Sequence, residues 1–426
     1  MPSARLLLVF LVLATSSTAV AATKALKFGK LIDGTGRVFT NAVVIVEDDR
    51  VQSVANGNEP IPGNAEVIDL SPYTGIPGLI DAHTHITYYW DGHTTPRSEP
   101  PRHPAVTVFL AEENALKALE AGVTTIRNLN AADGTDVAMR DLINMGRIVG
   151  PRMFVSGLGI RITRSTAPPT PIGIMADGVD AVIHAARQVI GSGADWVKMF
   201  GSTGGFDDVS EFQTFTFEEM KAAVDVTHAL GKKIAIHSYG PAGARDAVRA
   251  GADSLEHATD MDDQTIAEMV RRNTYYVPTI DHNQYYVENA DSVFHFPPGA
   301  KDRLLDYIRR NFETAKKASQ AGVRMVTGSD AVYNGWGLNM RELDWFVRMG
   351  MTPAQALKTA TTEGAAMLGM EKSLGAVAPG FYADILAVNG DPLADITAVS
   401  KTENIRWVMK AGRVVADKTK RIERAN

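Results

Sequence analysis

Six residues of this chain have the types and spacing to do metal chemistry. His83 and His85 close the run Pro77-Gly78-Leu79-Ile80-Asp81-Ala82-His83-Thr84-His85. Residues i and i+2 of a strand point the same way, so both imidazoles can reach one metal ion. Lys198 lies inside the apolar run Trp196-Val197-Lys198-Met199-Phe200, and His237 follows Lys233-Ile234-Ala235-Ile236. His257 comes one strand–helix unit later, and Asp330 ends Thr327-Gly328-Ser329-Asp330. Each has an ordinary reading alone: a snorkelling lysine, a core histidine, a helix N-cap aspartate. Six ligand-type residues at the ends of five predicted strands make coincidence a poor account of the set. There is no cysteine, which excludes disulfides, thiolate metal sites and cysteine nucleophiles. Any metal must be held by His, Asp, Glu or Lys.

The elements that position these residues form an alternating series. Short apolar runs recur at 123–126, 153–155, 196–200, 233–236, 275–277 and 323–326, with helical patterns between them. Leu304, Ile308, Phe312 and Ala315 make one apolar stripe, and Met220, Ala223, Val224 and Thr227 another. Ala-Gly pairs at 121–122, 250–251 and 321–322 suit left-handed helix C-caps before the next strand. With the runs near Ile80 and Leu255 the count reaches eight βα units over 75–369, the signature of a (β/α)8 TIM barrel. An open doubly wound sheet is the alternative, but no Gly-x-Gly-x-x-Gly follows the first strand. The two ends differ from the middle. Val43-Val44-Ile45-Val46 and Val51-Gln52-Ser53-Val54 read as strands, as do 383–388 and 405–409. The expected architecture is an α/β chain in which 23–74 and 370–426 build a small β-sandwich beside the barrel.

The first 22 residues read as a secretory signal peptide. Arg5 precedes an apolar run from Leu6 to Leu13, and Ala19-Val20-Ala21 is a small-x-small cleavage site. The run is too short to span about 30 Å of hydrocarbon. The expectation is an exported protein, periplasmic or secreted, with no membrane attachment after cleavage. Net charge is −6, from 43 Lys+Arg against 49 Asp+Glu, which gives no electrostatic reason to expect nucleic acid.

Several stretches together resemble the amidohydrolase superfamily across essentially the whole mature chain. They are Leu31-Ile32-Asp33-Gly34-Thr35-Gly36, the His83/His85 run, Ala121-Gly122-Val123-Thr124-Thr125, Asp195-Trp196-Val197-Lys198, Gly251-Ala252-Asp253-Ser254-Leu255-Glu256-His257 and the stretch from Leu374 to Asp384. Within the superfamily the sequence is most similar to the metal-dependent dipeptidase and carboxypeptidase group, which is prolidase-like, imidazolonepropionase-related and includes ochratoxin-type amidases. The resemblance implies two divalent ions, one on His83 and His85 and the other on His237 and His257. It implies that Lys198 is carboxylated by CO2 and bridges both, because a carbamate offers anionic oxygens where an ammonium offers none. Asp330 would touch the first ion and act as general base for a bridging hydroxide. Zinc suits these ligands, though residue types leave the choice of metal open. Relatives often form homo-oligomers, so a homo-oligomer is expected here too.

The substrate signals are weaker. Tyr239, two residues after His237, can offer its hydroxyl to a scissile carbonyl. Arg161 and Arg164 in the third loop can clamp a carboxylate or simply face solvent. Many relatives carry a Gly-Gly-His stretch there, whereas this chain reads Ile162-Thr163-Arg164-Ser165-Thr166. Tyr88 in the first loop can line an apolar pocket or pack the loop. Gly201-Ser202-Thr203-Gly204-Gly205 offers backbone N–H groups or makes a tight turn. His184 and His228 fall on helices, and of the loop histidines His282 lies closest to a strand end. Three functions follow. One is hydrolysis of an amide or peptide bond, releasing a C-terminal amino acid from a dipeptide or N-acyl amino acid. Another is opening of a cyclic amide or lactone. The third, a binding protein on a dead barrel, is disfavoured by the complete ligand set.

Overall fold

A computed structural model describes residues 22–57, 60–96, 101–163, 173–205 and 208–419. Residues 1–21 of the expected signal peptide, and Arg164, lie outside the described residues. The chain begins as a meander. β1 (Thr23–Ile32) pairs antiparallel with β2 (Val38–Glu47), which pairs antiparallel with β3 (Arg50–Asn56). β4 (Glu66–Pro77) returns parallel to β1. Leu26, Phe28, Val44 and Val46 are buried on one face, as the alternation in β1 and β2 requires.

The barrel follows directly. β5 (Leu79–Thr84), β6 (Val123–Asn128) and β7 (Arg152–Val155) form a parallel ladder. The third strand bends and resumes as β8 (Gly159–Arg161), which carries an extra short strand, β9 (Gly173–Met175). From β8 the parallel ladder continues through β10 (Trp196–Phe200), β11 (Lys233–Ser238), β12 (Ser254–His257) and β13 (Tyr275–Val277). The eighth position is the irregular segment 324–331, which bridges both edges through Tyr276 with Met325 and Thr84 with Ala331. Val326 N donates to Tyr276 O at 3.0 Å and Ala82 N to Thr327 O at 2.9 Å, so the circle closes. β5, β6, β12 and β13 are buried at every position, as parallel strands covered on both faces should be.

Helices link these strands. α1 (Pro104–Glu120), α2 (Thr135–Asn144), α3 (Val179–Gly191), α4 (Phe217–Ala229), α5 (Pro241–Ala250) and α6 (Asp263–Arg272) alternate with them. α7 (Ile280–Asn289) and α8 (Ala300–Gln320) precede the eighth position, and α9 (Glu342–Arg348), α10 (Pro353–Thr359) and α11 (Thr362–Met367) follow it. The α4 stripe is buried throughout. In α8, Leu304, Ile308 and Ala315 are buried and Phe312 packs at the edge. α4 opens on a capping box between Thr216 and Glu219, which satisfies two backbone N–H groups. Gly122 takes a left-handed φ of 82° after α1, and a Cβ there would meet the Leu386 side chain at 2.8 Å.

The chain then rejoins its beginning. β14 (Ile385–Val388) pairs antiparallel with β4, placing Leu386 opposite Ile76, and β15 (Ile405–Lys410) and β16 (Arg413–Asp417) extend the sheet. Both ends thus share one sheet. Its hydrogen bonding is continuous over seven strands, ordered β16-β15-β14-β4-β1-β2-β3, so the two chain ends build one sheet rather than two separately bonded ones. The single sheet still encloses a core of its own around Leu26, Phe28, Val44, Ile385 and Trp407. Among the described residues no helix is long and apolar enough to cross a membrane.

Candidate metal centre

The six candidate residues converge at the C-terminal mouth of the barrel, and they line one cavity of about 270 Å³. His83 and His85 project from β5 and its end. The rings of His83 and His257 lie 5.0 Å apart, and those of His237 and His257 lie 4.5 Å apart. Lys198 stands mid-strand in β10 rather than at its end, and is 1% exposed. Asp330 meets three histidines: its Oδ1 is 3.0 Å from His85 Nε2 and 3.7 Å from His83 Nε2, and its Oδ2 is 3.3 Å from His282 Nε2. Asp330 has a φ of 50°, a left-handed conformation, and it caps no helix. His282, expected in a loop, lies in the first turn of α7 and also faces the cavity.

Buried partners orient the imidazoles. His83 Nδ1 lies 2.8 Å from Glu256 Oε2, His257 Nδ1 lies 2.7 Å from Thr279 Oγ1, and His85 Nδ1 lies 3.4 Å from the Asn130 carbonyl. Glu256 is held by Arg127, whose Nη2 donates to Oε1 at 2.8 Å, and both side chains are fully buried. Arg127 also donates to Ser254 Oγ at 2.8 Å and to the Ala82 carbonyl at 2.6 Å, with its guanidinium 4.5 Å from the Trp196 ring centroid. Asp81 ties the first strand to the eighth. It accepts from Ser329 N at 2.9 Å, Ser329 Oγ at 2.5 Å and Asn339 Nδ2 at 2.8 Å.

Electrostatics favour the forms that bind metal. Burial pushes His83 down to about 4, and burial together with the Lys198 charge holds His237 well below the usual histidine range. These imidazoles are therefore neutral near pH 7 and present lone pairs. Burial draws Lys198 down to about 8. Burial alone would raise Asp330, but His282, His83 and His85 outweigh it and keep the carboxylate ionised. His237 Nε2 is buried with no hydrogen-bond partner, and His83, His85 and Asp330 bring three ligand atoms within 4.8 Å of one another. An orphaned imidazole nitrogen among neutral imidazoles and an ionised carboxylate is a donor set that fits divalent metal.

The remaining candidates divide. Tyr88 stacks on His85, centroids 4.6 Å apart, and its hydroxyl accepts from Asn130 Nδ2 at 2.8 Å. Tyr239 reaches the cavity beside His237 and His257, and burial holds its phenol far above neutrality, so it stays a donor. Arg161 lines the same cavity, its guanidinium 3.5 Å from the Phe200 ring centroid. The segment after Lys198 behaves as a turn. Gly201 N donates to His237 O at 2.7 Å and Thr203 N to Phe212 O at 2.8 Å, which leaves those N–H groups unavailable to a ligand. His184 is exposed, and His228 lies on the surface 2.8 Å from Asp253. The sequence reading missed Arg127, Glu256, Thr279 and the second wall of the cavity, Phe200, Tyr286 and Tyr333. A charged residue inside each buried strand run, Thr125-Ile126-Arg127 and Leu255-Glu256-His257, was the available signal.

Comparison with known proteins places this chain in a family. The amidohydrolase family pattern matches residues 74–415. Ochratoxinase of Aspergillus niger is 28% identical over 433 residues, covering 94% of this chain and 88% of that protein. Its crystal structure superposes with a TM-score of 0.80 at 25% identity, covering 94% of this chain and 97% of that one. The crystal structure of a Xaa-Pro dipeptidase with methionine bound in its active site superposes with a TM-score of 0.84 at 29% identity. It covers 92% of this chain and 99% of that one. With a matching pattern over most of its length and a donor set suited to metal at the barrel mouth, the chain belongs to the amidohydrolase family, hydrolases of amide bonds.

Proposed function

We propose that this protein hydrolyses a linear amide or peptide bond and releases a C-terminal amino acid from a dipeptide or N-acyl amino acid. The observation that carries this reading is the convergence of His83, His85, Lys198, His237, His257 and Asp330 on one cavity that also holds Arg161. His83, His85 and Asp330 would hold one divalent ion and His237 and His257 a second, with zinc the favoured metal. Such ions polarise a carbonyl and lower the pKa of water. Lys198 would carry a carboxyl group between them. With its pKa near 8, an appreciable fraction of its amine is neutral at pH 7, and Nζ can then bond to the carbon of CO2 and release a proton.

The side chains divide the remaining work. Arg161 pairs with the substrate carboxylate, which sets the C-terminal residue against the Phe200 side of the cavity. Tyr239 donates its hydroxyl to the carbonyl oxygen as charge develops there. Asp330 accepts a proton from the attacking water and returns it to the leaving amine nitrogen, without which an amine departs poorly. The leader at the N-terminus supports export of the enzyme to a periplasmic or extracellular site.

The test is a hydrolysis screen with zinc supplied. N-acyl amino acids and dipeptides should be cleaved, and their C-terminal amides should be poor substrates because Arg161 loses its partner. Activity confined to hydantoins or lactones would replace this reading with ring opening.

A further inference from the structure

A second cavity, of about 460 Å³, lies at the opposite end of the barrel where it meets the seven-stranded sheet. Arg152, the first residue of β7, stands on the barrel side, and Lys410 and Arg413 stand on the β15–β16 hairpin across from it. Ile143, Val149 and Tyr382 supply apolar wall. The volume is within the range of small-molecule sites, about 300–1,000 Å³.

The charges here are not balanced. Asp384, the acid acting on Lys410, is already committed: its Oδ2 accepts from Arg152 Nη1 at 2.6 Å and its Oδ1 from Ala411 N at 2.7 Å. The acid on the cavity wall, Asp49, lies 3.5 Å from Arg50. Among the described residues, neither Lys410 nor Arg413 has a carboxylate at ion-pair distance. Burial, with Arg152 and Arg413 nearby, draws the Lys410 amine down to about 8, the direction expected of a cation held without its counter-charge. Tyr382 borders the cavity with an aromatic ring held by Arg50 and Arg152, whose guanidinium groups stack on it at 3.5 Å and 4.2 Å from its centroid. The turn that carries the cations is firmly seated. Gly412 has a left-handed φ of 71°, and a Cβ there would collide with the Asp48 carbonyl. The backbone that carries the positive groups is therefore fixed before any ligand arrives.

We propose that this cavity is a binding site for a small organic carboxylate with an apolar or aromatic body, distinct from the catalytic mouth. Lys410 and Arg413 take the carboxylate, and Ile143, Val149 and Tyr382 cover the apolar part. The proposal does not rest on the catalytic reading above, since none of these residues reaches the metal centre.

Photolabelling of the zinc-loaded enzyme with 4-azidobenzoate, followed by peptide mapping, tests it. Carboxylates also enter the catalytic mouth, so the position of the adduct is the readout. Adducts are expected on peptides spanning 143–152 or 405–415, competed by benzoate. Lys410→Met and Arg413→Gln should each lower that adduct yield roughly tenfold, the loss expected for one charge-assisted hydrogen bond. Lys410→Arg should retain labelling, and all three variants should keep wild-type amide hydrolysis. Arg413 is exposed, so its variant remains informative even if Lys410→Met folds poorly. Adducts confined to peptides of the catalytic mouth, or adducts at 143–152 and 405–415 that both charge-removing variants retain, would overturn the proposal.

Discussion

Two fully buried glutamates flank the barrel mouth, and they are held in opposite ways. Glu256 sits under His83 with the Arg127 guanidinium 2.8 Å away. Burial alone would raise its carboxyl, but Arg127 and His83 override it and hold it at about 2. Glu342 sits under α7, the helix that presents His282, and accepts from Ile280 N at 2.9 Å and Asp281 N at 2.8 Å. Burial pushes it up to about 8 even at a helix N-terminus, with the charges of Asp281 and Asp81 adding to the effect. At Glu342 two backbone donors at a helix end do not offset burial, whereas at Glu256 a guanidinium does. One flank is a fixed charge network, and the other is an acid that holds its proton at neutral pH.

Asp330 is where the flanks meet, since it touches His83 and His85 from one side and His282 from the other. Asp330→Asn should give the largest effect. Amide hydrolysis should fall by a factor on the order of 10²–10⁴ with metal content near normal, while an ester with a good leaving group suffers less. Equal losses on both substrates would reduce Asp330 to a ligand.

Lys198→Ala should come next, with loss of activity and of bound metal by elemental analysis. Added short carboxylates should restore part of both. Full metal content and full activity in this variant would remove Lys198 from the centre.

Glu256→Gln breaks the charged flank. It leaves Arg127 buried without its counter-charge, and the fold should lose about 3–5 kcal/mol by denaturant titration. Metal affinity should drop about 10–100-fold, as for other partners that orient a ligand histidine.

Glu342 sharpens the comparison through pH. Its folded pKa lies above its unfolded value of about 4.5, so the folded state binds the extra proton between these values. Its stabilising contribution is complete below about pH 4.5 and is lost as pH rises towards 8, at about 1.4 kcal/mol per pH unit across that window. Glu342→Gln should remove this part of the Tm–pH curve, whereas Glu256→Gln should leave it in place. Thr279→Val should have the smallest effect. It deletes only the partner of His257 Nδ1, at a cost of about 1 kcal/mol, read as a severalfold weaker second metal.

The meeting of the six candidate residues at the mouth was legible because they sit at fixed places in a periodic pattern. His83 and His85 share one face of a strand, and His237 and His257 end consecutive strands, so local rules locate them. Arg127 and Glu256 obeyed the same rules but escaped notice, since their pairing depends on strands that meet across the barrel interior. Glu342 gave no signal at all. It lies in an ordinary amphipathic helix, and only the packing of α9 under α7 removes it from water. The meeting of the chain ends was readable from their shared strand character, but the strand order was not. Whether seven strands make one sheet or two is decided by β14 joining β4, a contact between residues remote in sequence.

That contact sets an order of events in time. β1 to β4 can assemble as soon as they are made, yet the β4 edge at Ile76 stays open until Leu386 arrives, after the entire barrel. During synthesis that edge exposes unpaired backbone beside an apolar face, a template for pairing with another nascent chain. A chain cut short anywhere in the barrel retains the open edge permanently. Premature termination should therefore yield aggregates rather than a soluble half-barrel.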